Sequence, residues 1–297
     1  MRFAFTDDQL AFRDSLRDLL AKECSPSHVR EAWTNDTGRV PGLWEQLVDV
    51  GIVGLLVPER AGGLGLSFVD AVLLFEETGR HALPEPIVET AALGAALFGD
   101  TSRVVAAGLE LVPWADTADV IVTRRGVIER EDARLSSHPS VDAARRLFDV
   151  DGPMTSVDAT VAFDHAMLGV AAQQCGLADR MLELTAEYVR ERHQFGVPVG
   201  SFQAVKHHLA NARVALEFAR PLVYRAAATL DAVHISMAKA KSDAAALIAA
   251  SVSLQCHGAI GYTTEYDLHL YMKRAWALAR SWGDARWHRD RVGRAVL

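Results

Sequence analysis

Leu10, Phe12, Leu16, Leu19 and Leu20 recur at spacings that put them on one face of a helix. Thr6 followed three positions later by Gln9 has the reciprocal side-chain arrangement that caps a helix start. The pattern predicts a first helix that ends where Pro26 stops it. A second, short helix is expected from near Pro41 to Gly51, a third from the cap Ser67 to Gly79, and a fourth after Pro86 as far as Phe98. Residues 1–102 therefore read as an N-terminal helical domain. Between the second and third helices, Pro58-Glu59 leads into Gly62-Gly63-Leu64-Gly65, glycines suited to a loop that passes close to another surface.

Residues 103–163 lose this periodicity and show short β-branched runs, Val120-Ile121-Val122-Thr123 and Gly126-Val127-Ile128, among charge-rich stretches that include Arg145-Arg146. They predict a reduced β middle segment of a few strands and loops. Helical patterning then returns over 164–191, 201–230 (with Ser201 as cap and Pro221 as a kink), 238–257, and from Thr264 with Asp267 toward Arg280. Four long helices with short connections across residues 164–297 predict a four-helix bundle, so the chain as a whole is expected to be mainly α.

With 50% hydrophobic and 23% charged residues in 297, the chain has ample material for an ordered core. Thirty-one basic against 38 acidic residues, net −7, exclude a general nucleic-acid binder, so an anionic ligand needs a local basic cluster. Cys24, Cys175 and Cys256 form no CxxC pair, which argues against a disulfide framework or a cysteine zinc site and fits a reducing cytoplasm. The N-terminus turns acidic at Asp7-Asp8, unlike an export signal. The most apolar helical run, 244–254, is short and interrupted by Ser251 and Ser253, so no membrane span is expected. None of the eleven histidines lies four residues from another, and no metal site is expected. There is no G-x-S-x-G elbow, and Gly63-Leu64-Gly65 and Gly258-Ala259-Ile260-Gly261 do not sit in a strand-to-helix dinucleotide turn.

Two segments carry candidate chemistry. In Arg192-His193-Gln194-Phe195-Gly196 through Phe202-Gln203, a guanidinium suited to a diphosphate, an aromatic face and amides fall around a helix break. In Gln255-Cys256-His257-Gly258-Ala259-Ile260-Gly261-Tyr262, glycines at a helix end leave backbone open to close approach. A capped helix end with solvated arginines and an ordinary glycine C-cap would leave the same marks.

Together, and with Pro58-Glu59 and Gly62-Gly63-Leu64-Gly65 in support, these segments resemble the acyl-CoA dehydrogenase family, whose order of helical domain, β domain and four-helix bundle the chain follows throughout. The resemblance implies FAD as cofactor and α,β-dehydrogenation of a CoA thioester, a Glu carboxylate removing the α proton while the β hydrogen leaves as hydride to the flavin. It places Trp282, in Trp282-Gly283-Asp284, at the position of the family's usual base, and Ala166 at the alternative position, so no catalytic residue is expected here. Asp284 is the nearest carboxylate. The family's flavin-ring stretch has no counterpart between Arg103 and Phe163. The segments that remain are those that, in the family, touch FAD held by a neighbouring subunit: Arg192, Gln194, Phe195, Phe202, Gln203, Gln255, Gly258 and Ala259.

This combination resembles the non-catalytic subunit of actinobacterial-type α2β2 acyl-CoA dehydrogenases. It implies a homologous catalytic partner, an acyl-CoA substrate of the steroid side-chain kind, and an electron-transfer acceptor. Two readings of other classes stand beside it: a self-sufficient homomeric enzyme using Asp284 or Glu265, and a flavin-free scaffold.

Overall fold

The computed structural model describes residues 4–297; residues 1–3, part of the N-terminal stretch read for an export signal, lie outside them. The expected capping box opens α1 (Asp7–Glu23): Thr6 Oγ1 accepts from the Gln9 amide (3.2 Å) and Gln9 Oε1 accepts from the Thr6 amide (2.8 Å). Pro26 does more than stop α1. Its fixed φ and missing N–H suit a first helical position, and it opens an unexpected α2 (Pro26–Ala32). Helices α3 (Leu43–Asp49) and α4 (Phe68–Arg80) follow as predicted, the latter opened by Ser67 and Asp70 as a capping box. The glycine loop between them folds on itself, a Cβ at Gly63 lying 2.2 Å from the Val57 carbonyl oxygen.

After Pro86 the chain winds as a buried π-helix over Glu89–Gly94 before closing in a single turn, α5 (Ala95–Phe98). The Thr90 hydroxyl accepts from the Val105 amide (3.0 Å) and ties this turn to the first strand. The middle segment is two three-stranded sheets. In one, β1 (Val105–Ala107) runs parallel to β3 (Val120–Thr123), which pairs antiparallel with β4 (Gly126–Glu129). In the other, β2 (Val112–Pro113) and β5 (Arg134–His138) flank β6 (Leu147–Asp151), both antiparallel. Ala106, Val112, Ile121, Ile128, Phe148 and Val150 form their small shared core.

Helix α6 (Thr160–Glu191) anchors the bundle, with α7 (Gln203–Thr229), α8 (Ala232–His257) and α9 (Leu268–Arg280) against it. Its link to α4 is backbone to backbone. A Cβ at Gly176 would lie 1.9 Å from the Glu76 carbonyl oxygen, and one at Gly79 would lie 2.0 Å from that of Gln173. Ser201 does not cap α7; its hydroxyl donates to the Pro198 carbonyl (2.7 Å), and Phe202 takes the cap position. Pro221 sits within α7 without ending it. Helix α8 starts at Ala232, ahead of the expected 238, because Asp231 accepts from the Val233 and His234 amides (2.9 and 3.0 Å). An unpredicted α10 (Ala285–Val296) packs on α8 as an addition to the four.

By length and composition the stretch Ala232–Tyr262 is apolar enough to cross a membrane, longer than the sequence reading of 244–254 allowed. In the fold it lies against both α6 and α7 and carries a buried ion pair, Lys239 to Asp243 at 2.5 Å, with Gln174 donating to the same carboxylate (2.9 Å). A central bundle helix, apolar on more than one face, has this composition.

Candidate functional site

Because α6, α7 and α8 run up and down, the end of α6, the start of α7 and the end of α8 meet at one end of the bundle. There α6 passes into a two-residue hairpin of β7 (His193–Gln194) and β8 (Val197–Pro198), with His193 opposite Pro198 and Gln194 opposite Val197. Phe195 and Gly196 form its tip with φ of 55° and 79°, the left-handed pair that a tight hairpin requires. A phenylalanine in that region is strained, and this one is 92% exposed, with Phe202 edge-on at 6.2 Å. Arg192, Gln194 and Gln203 are exposed beside it, though the Gln194 amide folds back to donate to the His193 carbonyl (2.9 Å).

At the end of α8, Gly258 turns the chain with φ 64° and ψ −138°, and no atom lies within 4 Å of where a Cβ would be. Gln255 and Ala259 are exposed on either side, and Tyr262 is 78% exposed. The two segments are joined beneath the surface, where Tyr188 in the last turn of α6 stacks on His257 with centroids 4.4 Å apart.

Trp282 lies elsewhere, at the end of α9. It is 3% exposed, has φ 62°, and packs on Phe163 at 5.9 Å. It borders a cleft of about 1070 Å³ that also touches Gly108, Leu109, Arg145, Trp276 and Asp284. Asp284 is the N-cap of α10: its Oδ1 accepts from the Trp287 amide (2.9 Å), which holds the carboxyl below the usual carboxylate range.

The chain matches the models for the acyl-CoA dehydrogenase N-terminal domain over residues 6–99 and the acyl-CoA dehydrogenase C-terminal domain over residues 157–297. It is 33% identical over 290 residues to acyl-CoA dehydrogenase IpdE2 of Mycobacterium tuberculosis, covering 91% of each protein. The chain belongs to the acyl-CoA dehydrogenase family. Its fold is shared with a variant of the Tcur3481-Tcur3483 steroid ACAD (TM-score 0.88, 22% identity, 98% of each chain) and with the ChsE4-ChsE5 complex from Mycobacterium tuberculosis (TM-score 0.87, 23% identity, 100% of this chain and 99% of that one).

Acyl-CoA dehydrogenases are FAD flavoproteins. The hairpin end of the bundle fits the adenine and pyrophosphate part of that cofactor: an exposed guanidinium at Arg192, aromatic faces at Phe195 and Phe202, and open backbone at Gly258. The Trp282 end does not fit the family's base, since neither an indole nor Ala166, which is also buried, accepts a proton from carbon. Asp284 is committed to its cap and made a weaker base by it; Glu265 is exposed on the turn before α9.

What sequence reasoning missed is buried. Arg145, read only as part of a charge-rich stretch, is 3% exposed; its Nη1 donates to Ser281 Oγ (2.9 Å), and it lies against Glu89, whose carboxyl is pushed up by burial and drawn down by Arg145. Nearby, Arg274 pairs with buried Asp142. An isolated Glu within a helical apolar run was the one available signal.

Behind Trp282, His288 is fully buried, with Nε2–H donating to the Trp282 carbonyl (3.1 Å) and Nδ1 accepting from Ser236 Oγ (3.2 Å). Burial, reinforced by the Lys239 charge, pushes its pKa down to about 3. The unfolded chain takes up that proton near pH 6.5, so the stability contribution is complete above pH 6.5 and is lost as pH falls toward 3. Between pH 6.5 and 5 the loss from this group is at most about 2 kcal/mol. His288→Gln should therefore show a smaller fall in melting temperature than the wild type between pH 7 and 5. Equal falls would mean that the imidazole protonates within the fold.

Proposed function

We propose that this chain is the flavin-completing subunit of a heteromeric, α2β2 acyl-CoA dehydrogenase of the cytoplasm, its own ancestral catalytic position being dead. Arg192, Gln194, Phe195, Phe202, Gln203, Gln255, Gly258 and Ala259 contact the adenine and pyrophosphate end of FAD seated on a homologous partner, and the partner supplies the catalytic Glu. When bound, FAD supplies the hydride acceptor for α,β-dehydrogenation. This chain binds and orients the end of the cofactor remote from the chemistry, and a separate electron-transfer protein reoxidises the complex. The observation that carries the reading is an asymmetry: the segments to which the resemblance gives a role in trans are exposed and open, while Trp282, to which it gives the base position, is buried. The fold likeness to the two-protein ChsE4-ChsE5 complex and to a steroid ACAD supports a heteromer and a bulky steroid side-chain CoA thioester as substrate.

FAD shared across a subunit boundary stabilises the assembled pair in proportion to the logarithm of its concentration over its dissociation constant. Stripping the flavin should weaken the heteromer as well as inactivate it. Sedimentation before and after stripping tests this, and an unchanged association constant would favour the flavin-free scaffold.

A further inference from the structure

The last turn of α6 touches both flavin segments through two successive residues. On a helix, neighbouring side chains point about 100° apart. Val189 faces the hairpin side: a Cβ at Gly200 would lie 2.9 Å from the Val189 carbonyl oxygen and 3.0 Å from its Cγ2, so the 3-10 turn after β8 rests directly on it. Tyr188 faces the end of α8. Its ring stacks on His257 at 4.4 Å with an interplanar angle of 19°, its hydroxyl donates to the His257 carbonyl (3.4 Å), and Tyr266 closes the stack edge-on at 5.8 Å.

His257 is itself fixed. Its Nδ1–H donates to the Ser253 carbonyl (2.8 Å), and burial lowers its pKa, which keeps the ring neutral. Gly261 packs over it, since a Cβ there would sit 3.0 Å from that of His257. The next residue along the chain is Gly258, whose open backbone belongs to the second segment, while Arg192 follows Tyr188 by one turn and donates its amide to the Tyr188 carbonyl (2.9 Å).

We propose that Tyr188 is a positioning residue: a latch that sets the Gly258 backbone at a fixed distance from the Arg192 arm, so that adenine and pyrophosphate are met at once. This rests on the trans-flavin reading above. Two groups held in register bind a two-part ligand without the ordering cost that a loose pair would bear. The latch acts on the adenylate half alone, so it distinguishes FAD from FMN, which has the same ring and one phosphate but no adenosine.

The test is flavin affinity of the complex with its catalytic partner, measured for FAD and FMN, with the melting temperature recorded in parallel. Losing a stacked aromatic pair should weaken FAD by about three- to tenfold in Tyr188→Leu, with FMN unchanged. Tyr188→Phe keeps the stack and should stay within about twofold of wild type. If Tyr188→Leu weakens FAD and FMN alike, or lowers the melting temperature with both affinities unchanged, the residue only supports the bundle and the latch is overturned. Arg192→Ala separates the two levels: if it weakens FAD while Tyr188→Leu does not, the latch alone fails, and if neither variant weakens FAD, the trans-flavin reading fails with it.

Discussion

Purified alone, the chain should neither retain FAD stoichiometrically nor dehydrogenate any acyl-CoA, and Trp282→Glu should not restore activity. Two separate features produce this result. The resemblance leaves the family's flavin-ring stretch without a counterpart in the middle segment, which folds here as two three-stranded sheets, so the ring is expected to lack a seat even if a base is supplied. The resemblance also puts Trp282 at the base position, and in the fold Trp282 is a core residue, packed on Phe163, its carbonyl accepting from a fully buried histidine. Truncating such a side chain costs about 3 to 5 kcal/mol, and a carboxylate put there adds the penalty of an unpaired buried charge. Trp282→Glu is therefore expected to melt at markedly lower temperature and remain colourless. Stopped-flow bleaching of flavin by the isolated wild-type chain with an acyl-CoA would overturn the prediction and return attention to Asp284 and Glu265.

Against Asp284 the structure offers a physical reason that the sequence could not. A carboxylate that accepts from two or more groups in its ionised form is a poorer base, and Asp284 is tied to the Trp287 amide at the head of a helix that sequence reading did not foresee. That helix, ARWHRDRVGRAV, is so rich in charge and so poor in large apolar residues that it offers little core-forming signal, and the residue it buries is His288, which reaches Ser236. Helices whose ends are written in local chemistry were legible: Thr6 with Gln9, and Ser67 with the glycine and proline punctuation around it. Asp231 is as strong a signal as these, but it lies in an Ala-rich, largely apolar run with no glycine or proline to mark a break, which hides the early start of α8. Ser201 shows the converse, a good cap residue whose hydroxyl turned back to Pro198 because a 3-10 turn precedes the helix.

At the site, residue types were legible and their presentation was not. That Phe195 stands almost wholly exposed at a left-handed hairpin tip depends on where β8 returns, and a stack between residues 188 and 257 is invisible to any local pattern. The same holds for Glu89 and Arg145, which tertiary packing brings together from a π-helix and a loop.

Arg192→Ala should weaken flavin binding to the complex by roughly ten- to a hundredfold, the equivalent of a charge-assisted hydrogen bond of about 1.5 to 3 kcal/mol. The fold should survive, because Arg192 serves the structure through its backbone. Its amide donates to the Tyr188 carbonyl (2.9 Å) and its carbonyl accepts from the Val199 amide (2.8 Å), and alanine keeps both. Its φ of −73° and ψ of 117° are also ordinary extended backbone, open to alanine without strain. The guanidinium is exposed, so its removal leaves no cavity. Raising salt should weaken FAD less in the variant than in the wild type, since the lost contact is ionic. Arg190, also exposed in the last turn of α6 and outside the proposed contact set, provides the control: Arg190→Ala should leave affinity near wild type. A large drop in melting temperature for Arg192→Ala at saturating FAD, with affinity unchanged, would make Arg192 a structural residue and remove the main support for a cofactor held between two subunits.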